Sequence, residues 1–316
     1  MKRNMAKASK GAIWAALFAV YIAWGSTYLA IRFAVETIPP FLMAGTRFLT
    51  AGLILFVWRR WGAGDPWPTR RQWRSAAIVG LLLLAGANGN VSWAEQRVNS
   101  GMAALLVGGV PLFMALIDIS RPNRHKLGWQ AGLGILTGFA GIALLINPGN
   151  LCGAGAALDL GGVGALLLAD VLWASGSIYS RDADLPDSPL LGTSMEMLAG
   201  GVGLFMIGSL TQEWARLDLS AISSTSLLGL GYLITFGSLV GFTAYTWLLR
   251  VAPTPLVATY AYVNPLIAIF IGNLLAQEPL TARILLSAAI IAGSVALINA
   301  SRHSRIRLQT ESSSTD

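Results

Sequence analysis

Ala-Gly-Ile-Ala-Leu-Leu-Ile-Asn at 140–147 returns 152 residues later as Ala-Gly-Ser-Val-Ala-Leu-Ile-Asn at 292–299. Each octet closes an apolar run, and each run closes one half of the chain. Outward from these octets the match continues with small drifts of offset. At 154 residues Trp93 falls on Trp247 and Pro111 on Pro265. At 149 residues Trp24 falls on Trp173, Arg32 on Arg181, Pro40 on Pro189, Arg47 on Glu196 and Gly52 on Gly201. The chain therefore reads as two similar halves, 11–148 and 160–301, with loop-length differences accounting for the drift.

Apolar stretches of about 20 residues recur through both halves, enough at ~1.5 Å per residue to cross a ~30 Å hydrocarbon core. They lie near 11–31, 41–58, 75–94, 98–117, 127–147, 160–180, 189–210, 226–249, 252–277 and 284–301. With a cytoplasmic N-terminus, 17 of the 22 Lys and Arg fall on the inner side; Arg32, Arg97, Arg216 and Arg283 fall outside and Arg47 within a span. The excess of basic residues in inner loops sets the orientation and requires an even number of spans. Five spans per half is odd, so the second half starts from the opposite face. The expected fold is all-α and polytopic, ten transmembrane helices as two inverted five-helix repeats. Both termini are cytoplasmic in this scheme, and 302–316 is a polar, disordered tail. Inverted repeats suit carriers, because two similar halves can exchange conformations and open to each side in turn.

Only 12% of residues are charged, against about 25% in a soluble domain. The net charge of +7 is spread over short loops beside membrane spans, which reads as a topology signal and not as a nucleic-acid surface. A single cysteine, Cys152, excludes an internal disulfide or a thiolate cluster, and it is expected on the outer side. His125 and His303 sit in basic loops, away from any buried metal or catalytic site. The first apolar run is longer than a signal-peptide core and reads as a retained span. No HExxH, Walker or Gly-x-Ser-x-Gly motif occurs, so no cofactor or metal is expected and transport would be secondary. The alternatives are an intramembrane enzyme or a membrane scaffold.

Trp-Gly-Ser-Thr-Tyr at 24–28, Met-Ala-Gly-Thr-Arg-Phe-Leu at 43–49 and Ala-Tyr-Val-Asn-Pro-Leu at 261–266 resemble the EamA-type branch of the drug/metabolite transporter superfamily. The likeness runs from about residue 11 to 301. It implies a bacterial inner-membrane exporter of amino acids or similar small metabolites, with spans 1–4 and 6–9 around a central cavity and spans 5 and 10 outside.

Ionisable residues within spans are costly, about 2.5–3.5 kcal/mol each at mid-helix, and so mark function or a paired structural role. Three stand out: Arg47, Asp170 and Glu196. Asp170 falls near the bilayer midplane, with Trp173 and Ser177 on its helical face. Its carboxyl either binds a substrate ammonium, exchanges protons during transport, or is a neutral interhelical hydrogen-bonding group. Arg47 and Glu196 are equivalent in the repeat but about 10 Å apart in depth, which suits a gate or structural charge better than a direct pair. Trp24, Asn88, Trp173, Tyr245, Tyr260 and Asn264 are the further candidates for a cavity lined by rings and hydrogen-bonding groups, suited to a small amphipathic solute. Pro111 and Pro265 are expected to bend their helices, and Gly134/Gly138 and Gly237/Gly241 to let helices approach closely.

Overall fold

The computed structural model describes residues 9–119, 129–146, 159–257 and 259–312. Cys152, His125 and the basic residues Arg121, Arg124 and Lys126 lie outside them. Among the described residues there is no strand, and eight helices are long and apolar enough to cross a membrane. These are α1 (Lys10–Ala34), α2 (Pro40–Gly62), α3 (Arg70–Ala94), α4 (Ser100–Ile117), α5 (Trp129–Ile146), α6 (Leu160–Ser180), α7 (Pro189–Leu210) and α8 (Ser224–Val251). Two shorter apolar helices follow, α9 (Tyr260–Ala276) and α10, whose apolar part is Ala282–Ile298 and whose backbone stays helical to Ser312. The protein is thus a polytopic helical membrane protein. Rows of apolar side chains such as Trp14, Phe18 and Ile22 on α1 remain exposed, as lipid-facing surfaces do.

Local sequence explains where the helices start and stop. Thr69 and Gln72 close a capping box on α3, Asp159 accepts from the Gly162 amide at 2.8 Å to start α6, and prolines 40 and 189 occupy first-turn positions of α2 and α7. The span expected from 252 begins later, at Tyr260, because Pro253 and Pro255 confine the preceding stretch to a four-residue helix, Thr254–Val257. Helix also continues through 302–312, where polar composition had suggested disorder. The Arg, Leu, Gln and Glu of that stretch are good helix formers that extend a helix already nucleated in the apolar part.

Two features recur in both halves. The eight-residue stretches Leu81–Asn88 in α3 and Leu233–Val240 in α8 are both π-helical, and they begin 152 residues apart. Helix packing is also reciprocal. α2 lies along α7 and α5 along α10, while α1 packs on α8 and α9 just as α6 packs on α3 and α4. Glycines permit these approaches. A methyl at Gly200 would lie 2.7 Å from the Gly80 carbonyl oxygen, joining α7 to α3. One at Gly138 would lie 2.8 Å from Ser294 Oγ, joining α5 to α10. Such small-residue contacts supply van der Waals packing where lipid offers no hydrophobic driving force.

Candidate functional site

α1 carries the residues around which the site is built. Its axis breaks at Ser26, whose hydroxyl donates back to the Ile22 carbonyl at 2.6 Å and meets the Tyr232 hydroxyl of α8. Trp24 and Tyr28 flank this bend, four residues apart and on one face. The Trp24 indole N–H donates to the Gly237 carbonyl at 3.1 Å, and a side chain at Gly241 would collide with that ring. The Gly237/Gly241 pair thus makes room for α1. Around Trp24 lie Phe242 at 5.2 Å, Tyr245 at 5.0 Å and Tyr260 at 5.2 Å between ring centroids. Tyr245 and Tyr260 are themselves edge-on at 5.6 Å. Four rings therefore form one aromatic group spanning α1, α8 and α9.

Asp170, eleventh of the 21 residues of α6, is fully buried, and neither carboxyl oxygen has a hydrogen-bond partner among the described residues. It points at α4 where that helix is interrupted at Gly108–Gly109; a methyl at Gly109 would sit 3.3 Å from Asp170 Oδ2. Pro111 follows this break, since it supplies no amide to the preceding turn. Its repeat partner Pro265 lies inside a continuous helix instead, next to Asn264, whose buried side-chain oxygen is also unpartnered.

Other candidates are placed elsewhere. Trp173 packs half-buried against the main apolar core and not in the aromatic group. The Asn88 amide donates locally to the Leu83 carbonyl at 3.4 Å, within the π-helical stretch of α3. Arg47 is 4% exposed, donates from Nε to Ser238 Oγ at 3.0 Å and lies 4.7 Å from the Phe48 ring centre. Glu196 is half-buried on α7, where its backbone meets Gly80 of α3. The two are not an ion pair among the described residues.

Three buried acids were not anticipated: Glu95, Glu213 and Glu278. Two share one device. Gln212 and Gln277 end α7 and α9 in the left-handed region, with φ of 56° and 52°, and the following glutamate turns back onto another helix's N-terminus. Glu213 accepts from the amides of Phe41 and Leu42 at 3.0 Å each, capping α2. Glu278 accepts from the Ser100 amide at 2.9 Å, the Ser100 hydroxyl at 2.8 Å and the Gly101 amide at 3.0 Å, capping α4, and it is ion-paired with Arg32 of α1. The repeated Gln-Glu after an apolar run was the available signal. On the opposite turn Asp65 follows Gly64, also left-handed at φ 72°. Burial opposes its charge, but the Arg59 bonds at 2.8 Å and nearby Ser188 hold its carboxyl below the usual range.

No group of three His, Cys, Asp or Glu side chains gathers among the described residues to hold a metal. Two clefts among the described residues are water-sized. One of about 10 Å³ is lined by Leu105, Gly108, Tyr262 and Pro265, and one of about 20 Å³ by Asn99, Gly101, Met102 and Glu278.

Comparison with known proteins gives one consistent result. The EamA-like transporter family matches this chain twice, over residues 9–147 and 160–300. The chain is 40% identical over 296 residues to an uncharacterized inner membrane transporter of Escherichia coli strain K12, YedA, covering 92% of each. It is 23% identical to the uncharacterized transporter sll0355 of Synechocystis, covering 93% of this chain and 91% of the other. A solved crystal structure superposes with a TM-score of 0.60 at 20% identity, over 92% of this chain and 96% of the other, a likeness of fold.

Proposed function

From the premise that the chain belongs to the EamA-like transporter family, and is a membrane transporter and not an enzyme, we propose that it is a secondary exporter of amino acids or similar small metabolites. It works by alternating access between two inverted five-helix repeats, 11–148 and 160–301, in a bacterial inner membrane with both termini cytoplasmic. Three observations support the repeat: the twofold family match, the reciprocal helix packing and the π-helical stretches 152 residues apart. The inner-membrane relative and the basic inner loops support the placement.

The observation that carries the reading of the site is Asp170, a fully buried carboxyl without a hydrogen-bond partner among the described residues; the Trp24–Tyr245–Tyr260 group is its second feature. A lone charge at that depth is expensive, so its stable states are a bound proton or a bound cation. A substrate ammonium and a proton compete for the one carboxyl, and that competition couples export to proton uptake. The rings cover the apolar part of the solute.

The test is uptake of amino acids and small metabolites into proteoliposomes, read by counterflow of labelled solute and by internal pH. Saturable counterflow accompanied by alkalinisation or acidification is the expected result for the wild type. Asp170→Asn, similar in size, is expected to lose solute-driven pH change and to weaken cationic or zwitterionic solutes selectively. Normal transport of every solute with unchanged pH dependence would assign Asp170 to structure.

A further inference from the structure

Among the basic residues of the eight spans, Arg47 is the one set deep. It is the eighth residue of α2, whereas every other Lys and Arg of those spans falls in the first or last five residues of its helix. Its side chain is buried, and no ion pair among the described residues includes it. Glu196, its counterpart in the repeat, lies on α7 against Gly80 and is not its counterion. A guanidinium keeps its charge where a lysine would lose it, so burial without a counter-charge is costly and calls for an anion.

Its neighbours hold the guanidinium on three sides and leave one edge. Nε donates to Ser238 Oγ at 3.0 Å, and the Phe48 ring covers one face, its centre 4.7 Å from Cζ. Nη2 flanks Gly237, where a methyl would lie 3.1 Å from that nitrogen and 2.9 Å from Thr27 Cγ2 of α1. Nη1 and Nη2 donate to nothing among the described residues, since the hydrogen bond from Nε is the side chain's one. Their two parallel N–H groups are the fork that a carboxylate accepts bidentately. Trp24 is anchored beside the cation. Its indole donates to the carbonyl of Gly237 and Arg47 donates to the hydroxyl of Ser238, consecutive residues of the π-helical stretch of α8. Through Trp24 the cation adjoins Phe242, Tyr245 and Tyr260. A single positive charge next to rings matches a monoanion with an apolar body. A metal cation is repelled, and a doubly charged phosphate exceeds what one guanidinium offsets.

We propose that Arg47 is the anion-binding residue of the transport site, its Nη1–Nη2 edge taking the carboxylate of the solute while the solute's apolar part rests on the rings around Trp24. Ser238, Phe48 and Gly237 position the guanidinium for that contact. The solute class is then the small monocarboxylates with an apolar or aromatic body, α-amino acids among them. The site rests on the reading of the chain as a carrier of small metabolites and is independent of what Asp170 does.

Titration calorimetry on the full-length protein in detergent tests it with two pairs of probes, phenylalanine and its amide, and 3-phenylpropionate and its amide. The second pair carries no ammonium, so Asp170 does not enter. The wild type is expected to bind each acid about 10- to 100-fold more tightly than its amide, as charge-assisted hydrogen bonds allow. Arg47→Gln, which keeps a donor for Ser238, is expected to erase the difference. Arg47→Lys, which keeps the charge without the fork, is expected to retain part of it. Acid and amide bound alike by the wild type, neither acid bound, or a preference that persists in Arg47→Gln overturns the site. The wild-type comparison decides even where Arg47→Gln does not fold. Counterflow of the same labelled probes in vesicles reads the carrier separately. Acids bound through Arg47 without counterflow would remove the carrier and keep the binding site. Counterflow indifferent to the carboxyl and to Arg47→Gln would remove the site and keep the carrier.

Discussion

Two buried carboxylates, Glu278 and Asp170, stand at the two extremes of how a bundle can treat an acid. At the Arg32–Glu278 end the carboxyl accepts from two amides and a hydroxyl and faces a guanidinium, so its desolvation is offset by partners on two other helices. At the bundle centre Asp170 is more deeply buried and accepts from none of the described residues. An acid fully engaged in this way is a fastener, holding α1, α4 and α9 together. One left without partners destabilises the fold, and the proposed function gives it a ligand or a proton. The difference teaches where this protein has stability and where, on the proposed function, it keeps a group for exchange.

That contrast can be broken most directly at its stable end. Glu278→Ala strands the Arg32 guanidinium and two helix-terminal amides. A loss of roughly 2–4 kcal/mol is expected, towards the lower figure because Arg32 is a third exposed. Urea titration in detergent reads it, and an unchanged midpoint would remove the fastener from the comparison. A smaller effect is expected at the aromatic group around Trp24. Trp24→Ala deletes three ring contacts and the bond to Gly237, about 2–3 kcal/mol for a partly buried ring. Trp173→Ala, at the edge of the main core, is expected to cost less. Equal losses in stability and in counterflow would show that the two repeat-related tryptophans are interchangeable after all. The smallest stability change belongs to Asp170→Asn. Having no partner to lose, it is expected to unfold within about 1 kcal/mol of wild type, or to be more stable. A loss as large as that at Glu278 would mean the centre is a fastener too.

Much of this was legible in the chain. Runs of apolar residues announced the helices, and Asp170, Trp24, Tyr245 and Tyr260 were marked as polar or aromatic groups in the wrong solvent. Glu278 and Glu213 were not, because a glutamate after an apolar run looks like any loop charge. What makes each a cap is a left-handed glutamine before it and a helix start brought beside it, 178 residues away for Ser100 and 172 for Phe41. The π-helical stretches were equally hidden, since nothing in Leu81–Asn88 distinguishes a widened turn from an ordinary one. Asn88 was read as a ligand group and is engaged by the carbonyl of Leu83 within that widened stretch.

The sequence by itself determined that this is a helical membrane protein with a doubled plan. Hydropathy, loop charge and repetition are properties of a line of residues, and a bilayer acts on each segment almost independently. Only the tertiary structure decided which polar groups are satisfied. Arg32 sits in a span end like other arginines, yet it meets Glu278 from 246 residues away, while Asp170 and Glu95 have no hydrogen-bond partner among the described residues. Hydrogen bonds act over about 3 Å, so the assignment waits on how ten helices settle against one another.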